Sequence, residues 1–214
     1  MALPFSREQF FEVFTRYNDA VWPAQFLLYA AALSALALVL ARQRHAGRAA
    51  SALLALLWAW MAVVYHLVYF REVNPAATLF GAAFLLAAAL FAWHGVVRGK
   101  LQFAWALDTR SAAGLLLVAY GLVFYPALAW LLGHRYPAMP TFGLPCPTTL
   151  FTLGLLTLMR PPYPRSVFIV PLAWVLVGVQ AVFLFGLYED IGLLAAGAAG
   201  AWLLFQRKTS WSHA

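Results

Sequence analysis

Gly133-His134-Arg135-Tyr136-Pro137-Ala138-Met139-Pro140-Thr141-Phe142-Gly143-Leu144-Pro145-Cys146-Pro147-Thr148-Thr149 interrupts a chain that otherwise reads as apolar helix. It gathers four prolines, two glycines, one histidine and the only cysteine between two hydrophobic runs. Irregular backbone leaves amides and carbonyls without partners, which lipid does not supply. Such a stretch therefore persists near membrane depth only inside protein or beside an aqueous cavity. It is expected to dip inward like a broken helix and to line a polar cavity open to one side of a membrane.

Working outward, the flanking sequence specifies the solvent. Of 214 residues, 64% are hydrophobic and only 10% are charged, against about a quarter charged in a soluble domain. Apolar runs recur along the whole length, so lipid is the expected surroundings. The predicted spans are Pro23–Ala41, Ala49–Phe70, Pro75–Val97, Ser111–Leu132, Pro147–Met159, Ser166–Leu187 and Asp190–Phe205. The fifth is short for a bilayer, which needs about 20 helical residues. Upstream, Ser6-Arg7-Glu8-Gln9 has the form of a capping box, in which side chains at both ends of the first turn satisfy open amides. Phe10, Phe14, Tyr17 and Val21 then recur at helical spacing, with Glu8, Glu12, Arg16 and Asp19 between them. That pattern predicts an amphipathic helix lying in the interface. The expected fold is an all-α membrane protein in one domain: interfacial helix 1–21, seven-helix bundle 22–206, and a cytoplasmic tail 207–214.

Charge sets the orientation. Arg42, Arg44, Arg48, Arg98, Lys100, Arg110, Arg160, Arg165, Arg207 and Lys208 fall in alternate loops and the tail, which makes ten of the fourteen basic residues. The other side holds Arg7, Arg16, Arg71 and Arg135 with six of the seven acids. By the positive-inside rule the first side is cytoplasmic, with the N-terminus out and the C-terminus in. The net charge of +7 lies in short loops with no basic, aromatic-laced stripe, which argues against nucleic acid as a partner. No basic segment precedes an apolar core at the N-terminus, so no cleavable signal peptide is expected.

Candidate chemistry clusters on the outer side. Cys146, before Pro147, is expected at a helix N-cap, where a thiol feels the positive helix end and becomes a better ligand or nucleophile. The plainer alternative is a small buried residue wedged between prolines. His66 and His134 fall on the same side, with Glu72, Glu189 and Asp190 nearby. A His66/His134/Cys146 set with a carboxylate suits zinc or copper better than magnesium, and a histidine pair is a ligand set for haem. Thr148 and Thr149 either cap the following helix or, with its open amides, receive an anionic group. Arg135 and Tyr136 either help to hold an anion or anchor the interface. Pro126 and Pro171 are expected to bend their spans and open space. Gln25 and Gln180 read as buried groups bonding between helices, and Gly192, Ala196 and Gly200 as a close-packing stripe.

Absences narrow the functions. No acid or base occupies mid-span, contrary to an ion pump with a midplane carboxylate. Lys100 and Lys208 lie in cytoplasmic segments, which excludes a retinal Schiff base in the bundle. One cysteine excludes an internal disulfide and a Cys-x-x-Cys site. The expected function is binding or transport of a small solute or metal ion. The alternatives are a metal- or haem-dependent membrane enzyme or redox protein, and a subunit of a membrane complex.

Four stretches also resemble one bacterial family. They are Phe5-Ser6-Arg7-Glu8-Gln9-Phe10-Phe11; Tyr65-His66 with Asn74-Pro75-Ala76-Ala77; the Gly133–Thr149 segment; and Glu189-Asp190-Ile191-Gly192. Its members are integral membrane proteins of about this length, catalogued as a domain of unknown function. The resemblance implies a multi-pass protein of the bacterial inner membrane and carries no residue roles.

Overall fold

The computed structural model describes residues 4–205. Helix α1 (Arg7–Val21) is capped as its sequence requires. The Ser6 hydroxyl accepts from the Gln9 amide at 3.2 Å, and the Gln9 side chain accepts from the Ser6 amide at 2.8 Å. Its buried face is Phe10, Val13, Phe14, Tyr17, Asn18 and Val21, while Glu8, Glu12, Arg16 and Asp19 stay exposed. Trp22-Pro23 ends the helix because proline has no amide to continue the ladder. The next helix, α2 (Ala24–Leu40), leaves at 87° to α1.

The remaining helices coincide with the predicted spans to within a few residues. They are α3 (Ala46–Trp60), α4 (Ala77–Phe91), α5 (Thr109–Ala119), α6 (Tyr125–Leu131), α7 (Pro145–Thr157), α8 (Ile169–Gly178), α9 (Gln180–Phe185) and α10 (Gly192–Phe205). Among the described residues there is no strand, only isolated bridges at Phe103–Met159 and Phe142–Leu144. Wide π-turns extend α3 through Met61–Tyr69 and α4 through Ala92–Val97, and they join α5 to α6 through Tyr120–Phe124. The continuous helices Ala46–Glu72, Ala77–Val97, Thr109–Leu131 and Arg165–Phe185 are long and apolar enough to cross a membrane, and the bent α1–α2 pair makes a fifth candidate. Helices α7 and α10 have 13 and 14 residues.

Pro126 explains one junction. A proline ring crowds the carbonyl four residues before it; here that is Leu122, whose oxygen accepts from Tyr29 Oη at 3.3 Å instead. Pro171 sits in the first turn of α8, where no amide bond is lost.

Helix α7 forms the centre. Every residue from Pro147 to Thr157 is buried. Its tightest contact is with α5, where a Cβ on Gly154 would lie 2.8 Å from Gly114 O and one on Gly114 would lie 2.8 Å from Gly154 O. Small residues give way here so that two backbones touch. The α10 stripe packs as its spacing predicts: Gly192 abuts the Tyr120 ring, Gly200 abuts Leu153 and Leu172, and Ala196 is fully buried.

The two ends of the bundle differ in charge. At one end Arg42 lies over the Trp105 ring and donates to its carbonyl at 2.9 Å, while Trp105 Nε1 donates to Leu40 O. Arg110 donates to the carbonyls of Thr157 and Met159 at the end of α7. Asp108 caps α5 by accepting from the Ser111 amide at 2.7 Å, and that bond, with a second from the Ser111 side chain, holds its carboxyl below the usual range. This end carries Arg42, Arg44, Arg48, Arg98, Lys100, Arg110, Arg160 and Arg165 against one acid, Asp108. The other end carries four basic residues and six acids. Arg207, Lys208 and the rest of the 207–214 tail lie outside the described residues.

Candidate functional site

The acidic end is built where the irregular segment, the start of α7 and the α9–α10 turn meet. Gly133, Arg135 and Tyr136 are exposed, whereas Met139, Pro140 and Phe142–Pro145 are buried, so the segment does run inward. One residue anchors it. Asn18 of α1, fully buried, donates through Nδ2 to Pro137 O at 2.6 Å and Met139 O at 2.8 Å, and its Oδ1 accepts from Thr141 Oγ1 at 2.7 Å. Its own carbonyl accepts from Tyr136 Oη and, across the bend, from Gln25 Nε2 at 3.0 Å. Gly143 closes the turn at φ +98°, and its Cβ position lies only 2.3 Å from Leu28 Cδ1. Both conditions call for glycine.

The segment then delivers Cys146 differently from the expectation. Leu144 is the N-cap of α7 and Pro145 takes the first helical position, which puts Cys146 one residue inside the helix. Thr148 Oγ1 accepts from the Gly143 amide at 3.1 Å, so this threonine stabilises the turn; the Thr149 hydroxyl is buried without a partner.

Glu189 and Asp190, expected near the histidines on the outer side, are fully buried in the 3₁₀ turn Tyr188–Ile191. Tyr125 Oη donates to Asp190 Oδ1 at 2.5 Å, Tyr120 Oη donates to Glu189 O at 2.8 Å, and His134 Nδ1 lies 2.9 Å from Glu189 Oε1. Glu189 Oε2 and Asp190 Oδ2 have no hydrogen-bond partner. Buried polar atoms usually find partners, which makes these two notable.

The remaining predicted residues separate. His66 is fully buried inside a ring of Phe70, Phe80, Phe84 and Trp174, with centroids 4.6–6.1 Å away, and neither ring nitrogen is bonded. Glu72 pairs with Arg16 at the exposed rim. Arg135 covers the Trp130 ring and donates to its carbonyl. Among the described residues, no three His, Cys, Asp or Glu side chains converge as metal ligands. His66, His134 and Cys146 therefore do not form the zinc or copper set that their common side suggested. The two histidines occupy separate environments, unlike a haem pair. Gln180 is exposed and donates to Leu176 O within its own helical stretch rather than between helices.

A cavity of about 380 Å³ does open at this end. Exposed Pro4, Ala76, Gln180 and Leu184 mark its outer side; buried Tyr125, Trp174 and Asp190 mark its inner side. Phe10, Phe14, Tyr65, Phe70 and Phe80 form much of the wall. The lining is chiefly apolar, not polar as expected, because the aromatic face of α1 supplies one side of it. The break between α8 and α9 at Val179 lies beside the lining residues Gly178, Gln180 and Ala181.

The model of a family of unknown function, DUF6064, matches residues 7–213. The chain belongs to this family. No curated protein and no solved structure matches it. The match takes in the whole inner wall of the cavity, including Tyr125, Cys146, Trp174 and Asp190.

Of the cavity residues, sequence reading identified Cys146 and Asp190 but not Tyr125, Trp174 or Phe10, and it also missed Asn18, which anchors the irregular segment. Asn18 carried a usable signal: it is a polar residue on the apolar face of α1, between Tyr17 and Val21. Tyr125 and Trp174 carried none, since aromatics inside spans are ordinary.

Proposed function

We propose that this chain is a multi-pass protein of the bacterial inner membrane that binds a small, mainly apolar molecule at its extracytoplasmic end. The arrangement proposed is a single domain of seven spans, with α1 lying in the outer interface and the basic end in the cytoplasm. The charge difference between the two ends supports this orientation through the positive-inside rule. The 87° bend supports an α1 that lies flat, with its charged face towards headgroups.

One observation carries the binding reading. A cavity of about 380 Å³, walled by aromatic side chains, ends on buried polar groups of which two atoms, Trp174 Nε1 and Asp190 Oδ2, have no partner. Concave, largely apolar cavities with a few convergent polar groups are the usual form of small-molecule sites. Transport would need a second opening, and binding alone is proposed.

Gly178→Leu tests this. Gly178 lines the cavity, and a Cβ there would lie 2.9 Å from Leu193 Cδ1 and 3.3 Å from both Cys146 Sγ and Trp174 Nε1, so a larger side chain crowds the cavity's polar end. Mass spectrometry of organic extracts from purified protein is expected to detect a small molecule that the variant lacks while keeping its size-exclusion profile. Identical extracts from both proteins would refute the reading. For orientation, in a Cys146→Ser background, an impermeant maleimide applied to intact cells is expected to label Glu12→Cys and not Arg44→Cys. The reverse pattern would overturn it.

A further inference from the structure

We infer that the molecule held in this cavity is an apolar alcohol or phenol, with its hydroxyl seated between Trp174 and Asp190; this rests on the binding reading above. The two residues reach the inner wall from different elements, α8 and the turn before α10. Asp190 Oδ1 is occupied by Tyr125 Oη at 2.5 Å, and Oδ2 is open. Trp174 Nε1–H, a donor only, is also open. The Cys146 thiol already makes polar contact with both, but it meets neither atom at full hydrogen-bond geometry, and sulfur is a weak donor and a weak acceptor that an oxygen displaces.

A head group serving both must accept from an indole N–H and also bond to a carboxyl oxygen. A hydroxyl does each with one atom, and it does so whether Asp190 is charged or protonated. An ammonium carries three donors and no acceptor, so it leaves the indole unmatched. With Asp190 ionised, a carboxylate meets a like charge in a poorly solvated site, where repulsion is strong, and an ether accepts from the indole but has no proton to give Asp190. A buried donor or acceptor left open on binding weakens affinity by about tenfold or more. The aromatic wall of Phe10, Phe14, Phe70 and Phe80 suits the apolar body.

The test uses the full chain in nanodiscs and four probes sharing one skeleton: para-butylbenzyl alcohol, its methyl ether, para-butylbenzylamine and para-butylbenzoic acid. Binding is followed by thermal shift and by native mass spectrometry. The alcohol is expected to bind at least tenfold more tightly than each of the others, and Trp174→Phe is expected to reduce that preference over the amine. Equal binding of all four would overturn the hydroxyl assignment while leaving the cavity reading intact. Tightest binding of the amine would replace it with a cationic head group. Binding of none would overturn both. The wild-type comparison is decisive by itself, so a Trp174→Phe protein that fails to fold does not rescue the assignment.

Discussion

His134 Nδ1 lies 2.9 Å from Oε1 of Glu189, and among the described residues it is the only hydrogen-bond partner of that carboxylate, which is fully buried. Removing the imidazole strands the second oxygen of a group whose first is already open. His134→Ala is expected to destabilise the protein by about 2 kcal/mol, the usual cost of leaving a buried polar group unpaired. Adding Glu189→Gln, which removes the charge but keeps the shape, is expected to restore part of the loss. Thermal unfolding in detergent checks both. A neutral His134→Ala would show that Glu189 finds water or another partner.

The approach of α5 to α7 gives a steric prediction. A Cβ on Gly154 would stand 2.8 Å from both Gly114 O and Val118 N. Backbone atoms cannot swing aside as a side-chain tip can. Gly154→Ala is accordingly expected to cost about 2–3 kcal/mol through overpacking, with a lower unfolding midpoint and an unchanged helix signal by circular dichroism.

Arg110 counts as one basic loop residue in the sequence, but it acts as a cap. Its guanidinium donates to Thr157 O and Met159 O, carbonyls that the end of α7 leaves open. Arg110→Gln, whose amide cannot span both, is expected to lower stability by about 1.5–3 kcal/mol, the range for hydrogen bonds to a charged group. Unfolding midpoints measure the loss. Arg44→Gln, in an exposed loop, serves as the comparison and is expected to change little.

Asp108 supplies a pH dependence. The amide of Ser111, and then its side chain, hold the folded carboxyl below its ordinary 3.8. For a depressed acid, the stabilisation is present above the unfolded value and disappears as pH falls through the folded one. The unfolding midpoint of Asp108→Ala is expected to lie below that of the wild type by a constant amount above pH of about 5, with the gap narrowing under more acid conditions. A gap that widens in acid would contradict the sign.

The helices were legible because apolar length is itself the signal, as in Ala49–Phe70 and Ser166–Leu187, which are long and apolar enough to cross a membrane. The capping box at Ser6–Gln9 and the small-residue stripe on α10 were legible for a similar reason, since each acts over one or two turns. The cavity was not. Tyr125 meets Asp190 across 65 residues, and Asn18 meets Met139 across 121; no periodicity encodes such pairings. Phe10, Phe14 and Trp174 read as ordinary apolar positions, and nothing in their spacing shows that they border empty space. The π-turns from Met61 to Tyr69, within which His66 lies, have no sequence signature either.

The burial of α7 on every side bears on how the chain is made. A helix of 13 residues carrying Thr148, Thr149, Thr152 and Thr157 is too short and too hydroxyl-rich to be retained in bilayer hydrocarbon as an isolated stretch. Its neighbours α5 and α8 flank it in translation order, one emerging before it and one after. On the proposed membrane reading, α7 is expected to enter the bundle only when both are in place, and a chain stalled before α8 is expected to leave it outside the bilayer.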